Sequence, residues 1–143
     1  MNIKTNKSGF TLLEVIIVII IVGVLASLAL PRFFSTVEYS KATEALRALS
    51  TVRQSVERCY LAASGSYVTC DTFAQIDVED PGAAPGARFA YTFNAGTADA
   101  VRMTATRNAA DGGDGVSTVF IAIDNTATPP VTKGGTGKYS SIK

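Results

Sequence analysis

The sequence contains no histidine and no tryptophan, and only two cysteines in 143 residues. Without histidine, the commonest general base and the commonest metal ligand are both missing. Charge is balanced, with 13 Lys and Arg against 12 Asp and Glu and a formal net charge of +1. That balance gives no reason to expect nucleic acid or an acidic substrate as partner. After Pro81 there are six Lys or Arg against four Asp, without clear interleaving of aromatic residues, so direct DNA binding has little support. No nucleophile with a base, pair of catalytic carboxylates, phosphate loop or zinc ligand set can be assembled. The expectation is a protein that is not an enzyme and has no catalytic residue, cofactor or metal.

What the sequence does have is one long apolar run. Between Phe10 and Leu30 there are 21 residues and one charge, Glu14. As a helix this run is roughly 31 Å long, enough to cross a bilayer core of about 30 Å. Lys4 and Lys7 precede it, which keeps that end cytoplasmic and sends the rest outward. About a hundred residues remain for a water-soluble part, so its core is modest. A cleaved secretory signal is one reading, and Ser27-Leu28-Ala29 has the small residues such a site uses. Two features oppose it. An ionised Glu14 inside the apolar region costs about 2.5–3.5 kcal/mol on insertion scales. The helical pattern also runs on past Ala29.

Lys7-Ser8-Gly9-Phe10-Thr11-Leu12-Leu13-Glu14, followed by about twenty apolar residues, resembles the processing motif of the type IV pilin family, which includes the pseudopilins of type II secretion. The specific match covers residues 7 to 31. The resemblance implies that a prepilin peptidase cuts after Gly9 and methylates the new amine of Phe10. It also implies that Glu14 pairs with the Phe10 amine of a neighbouring subunit during assembly. The other reading of Glu14 is a carboxylate that snorkels to the cytoplasmic headgroups. Gly23 and Pro31 fall where pilins commonly have a glycine and a proline. Interior proline costs around 3 kcal/mol and glycine about 1 kcal/mol relative to Ala, so Gly23–Pro31 is the weakest part of the helix. It is expected either to kink or melt on packing, or to curve with its hydrogen bonds intact, as favoured for an isolated subunit.

Beyond Ser35 the helix becomes amphipathic. Ala42, Ala45, Leu46, Leu49, Val52, Val56, Cys59 and Tyr60 recur at three- and four-residue steps, one buried face, while Lys41, Glu44, Arg47, Gln54, Glu57 and Arg58 occupy much of the remainder. Ala62-Ala63-Ser64-Gly65-Ser66 ends it, with a glycine suited to a C-terminal cap. Cys70 lies eleven residues after Cys59, and a disulfide there is favoured over a metal site, for which ligands are missing. Many pilins carry their disulfide nearer the C-terminus, so this spacing departs from that pattern. Three alternating runs read as strands of an antiparallel meander: Phe89/Tyr91/Phe93, Val101/Met103/Ala105 and Val119/Ile121/Ile123. An edge strand is possible around Val131 or Tyr139. The stretch Asp111-Gly112-Gly113-Asp114-Gly115 suggests calcium, but lacks the ligand alternation of an EF-hand and reads better as a turn.

The expected fold is α+β, a pilin-like lollipop with a long N-terminal helix whose C-terminal half packs on an antiparallel sheet of three to four strands. Its divisions are a leader at 1–9, an assembly helix at 10–34, an amphipathic helix at 35–61, a loop at 62–87, and sheet and tail at 88–143. The expected function is that of a structural subunit of a type IV pilus-like filament for adhesion, motility or DNA uptake. A pseudopilin of type II secretion is the close alternative, although major pseudopilins usually have a Trp-containing segment and a calcium loop. A solitary membrane-anchored binding domain is the alternative of another class. The resemblance implies as partners further copies of the chain in a helical filament, the prepilin peptidase, and an inner-membrane assembly platform with its ATPase. It implies an inner-membrane precursor that becomes a surface filament, or a periplasmic one for a pseudopilin.

Overall fold

A computed structural model describes residues 10–143. They form one helix, α1 (Leu12–Ala62), then strands β1 (Phe89–Phe93), β2 (Ala100–Arg107), β3 (Thr118–Asp124) and β4 (Val131–Gly135), with 3-10 turns at Ala109–Asp111 and Gly137–Tyr139. This is the expected α+β arrangement, with the edge strand at Val131 and Tyr139 in a turn beyond it. The residues fall into two compact units, one ending at Val37 and one running from Glu38 to Lys143.

The first unit is the leading part of α1. Thr11 starts it as an N-cap: its Oγ1 accepts the Glu14 N–H at 3.2 Å, and its carbonyl accepts the Glu14 and Val15 N–H groups. The helix contains a span apolar and long enough to cross a membrane. Pro31 stands inside the helix without ending it. Hydroxyls on both sides turn back onto the backbone, Ser27 to the Val24 carbonyl at 2.7 Å and Ser35 and Thr36 to that of Arg32 at 2.8 and 3.0 Å.

In the second unit the helix buries one stripe, Ala42, Ala45, Leu49, Val52, Ser55 and Val56. The sheet is a meander in the order β1-β2-β3-β4, antiparallel throughout. Pairing at the observed register puts Phe93, Met103, Ile121 and Lys133 in one row, and Tyr91, Ala105, Val119 and Gly135 in the next. Apolar side chains of this face join the helix stripe in a single core that also holds Tyr67, Cys70, Ile76 and Tyr139. Alternation in the sequence leads to this packing because a strand turns every second side chain to one side.

Two elements rest on close approach. A Cβ on Gly134 would meet the ring of Phe120 at 2.6 Å, and one on Gly135 would collide with the backbone of Tyr139. The pair therefore lets β4 lie between an aromatic ring on one face and the C-terminal turn on the other. At the end of α1 the Gly65 N–H bonds back to the Tyr60 carbonyl at 2.9 Å, with Ser64 and Gly65 both at positive φ. This is a Schellman-type stop with serine, not only glycine, in the left-handed region. Cys59 and Cys70 are disulfide-bonded, and Tyr60 stacks on Tyr67 with centroids 4.3 Å apart. The loop is thus fastened to the last turns of the helix.

Gly135→Ala is expected to destabilise the second unit by about 1–3 kcal/mol through overpacking, read as a lower urea midpoint of the full chain in detergent. An unchanged midpoint would mean that β4 moves away from Tyr139 without cost. Removing the bridge with Cys59→Ser/Cys70→Ser is expected to cost about 3 kcal/mol in the same measurement, from loop closure alone.

Candidate functional site

Phe10 precedes the helix and is 83% exposed. Gly9, the expected cleavage residue, lies outside the described residues. Glu14 sits in the first turn of α1, where its charge complements the positive end of the helix dipole. No cation lies within ion-pair distance of its carboxylate among the described residues. From Leu12 to Leu25 every residue is exposed, and Glu14 is the one charge among them. Gly23 has open space around its Cα, and Pro31 lies in continuous helix. Among the described residues, this geometry offers an apolar surface without a partner and a single acid near its start.

A second, charged cluster lies in the unit beginning at Glu38. Arg107, at the end of β2, has no exposed surface. Its Nε donates to Glu38 Oε2 at 3.2 Å, its Nη2 to the Asp111 carboxylate at 2.8 Å and to that residue's carbonyl, and its Nη1 to the Arg88 and Asn108 carbonyls at 3.0 and 3.3 Å. Glu38 also accepts from the Tyr139 hydroxyl at 2.9 Å and the Lys41 ammonium at 3.0 Å. Arg88 extends the cluster to Glu44 at 2.7 Å and to Asp111 at 3.9 Å. A buried guanidinium is tolerated only when its donors are met and its charge is balanced, and here both conditions hold.

Burial by itself would raise the Glu38 carboxyl, but hydrogen bonds from Arg107, Lys41 and Tyr139 outweigh it and hold the group at about 2, below its ordinary 4.5. The Tyr139 hydroxyl moves the other way, pushed up by burial and by donating to Glu38. For Arg107 burial works against the charge, yet Glu38 and Asp111 more than compensate and raise it. Glu38 and Arg107 are therefore both charged throughout the neutral range.

The acidic glycine stretch after β2 is a turn with internal partners. Asp111 serves Arg107, and Asp114 accepts the Val116 and Ser117 N–H groups at 3.1 and 2.8 Å as well as the Ser117 hydroxyl. These bonds, the Ser117 side chain's first, hold the Asp114 carboxyl below the usual range. Among the described residues no group of three or more His, Cys, Asp or Glu is placed to hold a metal ion.

Residues 4–30 match the family model of the prokaryotic N-terminal methylation motif. The chain is 34% identical over 85 residues to the type II secretion system core protein G of Aeromonas hydrophila, covering 59% of each. It is 33% identical over 58 residues to the type IV major fimbrial protein FimA of Dichelobacter nodosus, covering 41% of this chain and 37% of that one. With the type IV major pilin protein PilA of Myxococcus xanthus it shares 32% over 108 residues, 74% of this chain and 44% of that one. The chain carries the N-terminal methylation motif and is similar to type IV pilins and to type II secretion pseudopilins. The aligned regions span less than two thirds of each of these relatives.

For this pilin-like chain the structure brings Cys59 and Cys70 together, while Glu14, Gly23 and Pro31 remain strung along one helix that Phe10 precedes. The Glu38–Arg107–Tyr139 cluster escaped the sequence reading. Its signal was present: Arg107 continues the buried alternation of Val101, Met103 and Ala105, and Glu38 stands four residues before Ala42 on the buried stripe. A charge in register on each of two apolar faces marks a pair that meets between helix and sheet, with Arg107 buried and Glu38 half-buried.

The lowered Glu38 carboxyl gives stability that is fully present above its unfolded value near 4.5 and is lost as pH falls through about 2. Glu38→Gln is expected to flatten the stability profile in that window, measured by urea unfolding at successive pH values. Arg107→Met, which leaves Glu38 and Asp111 facing a buried methionine, is expected to cost about 3 kcal/mol or more at pH 7. A neutral result there would mean that the cluster relaxes into water.

Proposed function

We propose that this chain is a structural subunit of a type IV pilus-like filament, made as a single-pass membrane precursor and polymerised through α1 into a helical homo-oligomer. The observation that carries this reading is the coincidence of the methylation motif, residues 4–30, with a helix exposed and apolar throughout its leading part except at Glu14. Prepilin peptidase cuts after Gly9 and methylates Phe10. Glu14 then pairs with the Phe10 amine of a neighbouring copy, because a carboxylate leaving water for an apolar filament core needs a cation. Gly23 and Pro31 mark where the helix can loosen when packed. An inner-membrane platform and its ATPase drive assembly, and the mature subunit works by adhesion, motility or DNA uptake at the cell surface without catalysing a reaction. The segments 10–34 and 35–61 are its assembly and head-packing helices, 62–87 its loop and 88–143 its sheet and tail.

A second reading has its own support. The match to the type II secretion system core protein G covers 59% of that protein, against 37% of the fimbrial protein and 44% of the pilin PilA, and supports a pseudopilin with a periplasmic site of action. Electron microscopy of sheared cell surfaces separates the two: long filaments of this chain favour the pilus, and a short periplasmic assembly favours secretion.

Mass spectrometry of the mature chain is expected to find Phe10 at the N-terminus with one added methyl group, and Glu14→Ala is expected to remove filaments while leaving the processed subunit in the membrane. An N-terminus at Leu30 would restore the secretory signal, and undiminished filaments from Glu14→Ala would end the carboxylate–amine pairing.

A further inference from the structure

The apolar run of α1 stops at Leu30, and Pro31 is followed by Arg32, Phe33 and Phe34. Both phenylalanines are 63% exposed, and their rings meet edge to face with centroids 6.1 Å apart. The Arg32 side chain is exposed and has no ion-pair or hydrogen-bond partner among the described residues, although its carbonyl accepts the Ser35 and Thr36 hydroxyls. Successive helical residues are turned by about 100°, so these three side chains form a collar over roughly 200° of the helix surface.

We infer that this collar is a lipid-headgroup site: Arg32 binds the phosphate of an anionic phospholipid in the leaflet opposite the Phe10 end, while Phe33 and Phe34 rest at the acyl boundary. The inference rests on the membrane-spanning reading of α1. Length supports it, because the run from Phe10 to Leu30 matches a hydrocarbon core of about 30 Å and Arg32 follows about 3 Å beyond. Chemistry supports it too. An exposed guanidinium with all its donors free is a planar fork suited to a phosphate, and its stem can lie along apolar surface while the charge reaches the headgroups. Aromatic rings beside a basic residue are the usual composition of a helix surface at the bilayer interface. The collar thereby sets the depth of the span, holding it against sliding in either direction.

The chain contains no tryptophan, so Phe33→Trp introduces a single reporter at the site. The full-length Phe33→Trp chain is reconstituted in phosphatidylcholine vesicles, and brominated phosphatidylglycerol or brominated phosphatidylcholine is titrated in as quencher. One basic side chain near an anionic surface corresponds to a preference of about fivefold for phosphatidylglycerol at Trp emission. Arg32→Gln in this background is expected to bring the preference to unity, and Arg32→Lys to retain most of it. Equal quenching by both lipids in the parent overturns the inference, as does a preference that survives Arg32→Gln. Shielding of the reporter that rises with protein-to-lipid ratio in place of quenching identifies a second copy as the occupant and also overturns it. Flotation of the chain with the vesicles separates the two levels: a floating chain with an unquenched reporter refutes the collar alone, whereas a chain that does not float refutes the membrane span beneath it.

Discussion

A guanidinium without solvent, Arg107, is the constraint on which the unit from Glu38 to Lys143 depends. Once β2 carries a charge on its inner face, something must bring an acid to it and something must satisfy its remaining donors. Glu38 comes from the helix, Asp111 from the 3-10 turn after β2, and carbonyls of Arg88 and Asn108 from the ends of neighbouring segments. Tyr139 adds the C-terminal turn through the same carboxylate. Five separate pieces of backbone are thereby held in one arrangement. Packing of apolar surface is tolerant of small displacements, but charge-assisted hydrogen bonds with narrow distance ranges are not. The cluster specifies where the helix stripe meets the sheet, while the aliphatic core supplies most of the driving force.

Small residues do a related job. Ala42 and Ala45 are fully buried in the turns of α1 that follow Glu38, and Gly134 and Gly135 occupy β4. Each lets backbone approach where a larger side chain would stand. The bulky groups Leu49, Met103, Ile121 and Phe89 fill the remaining interior. A modest core of this kind gains from covalent support, and the bridge between Cys59 and Cys70 provides it at the far end of the helix.

Much of this was legible in the residues. Periods of 3.6 and 2 located α1 and the first three strands because both faces of the interface are apolar at regular spacing. The apolar N-terminal run and its glutamate stood out because hydrophobicity and charge are local properties. Glu38, Arg107 and Tyr139 are different: they lie 69 and 101 residues apart in pairs, and only the folded register joins them. Arg107 and Glu38 stand in register with the apolar faces of their own segments, but nothing within either segment shows which partner it meets. Tyr139 in particular was read as a possible edge-strand residue, since nothing within the tail shows that the chain turns back toward the helix. Thr11 as the helix cap was likewise overshadowed by the motif in which it sits, although Thr-x-x-Glu is itself a helix-start pattern.

The two fastenings of the helix have a mechanical consequence. Glu38 and Cys59 stand 21 residues apart on α1, about 31 Å along its axis, and each ties the helix to a different part of the same unit. A load applied to the helix at Glu38 first meets a group of ionic hydrogen bonds, which can part and re-form. At the other end it meets a covalent bond, which does not part. A pull that frees the first attachment therefore still leaves the helix joined to the loop at Cys70, so the sheet is reached through a link whose strength does not depend on pH or salt.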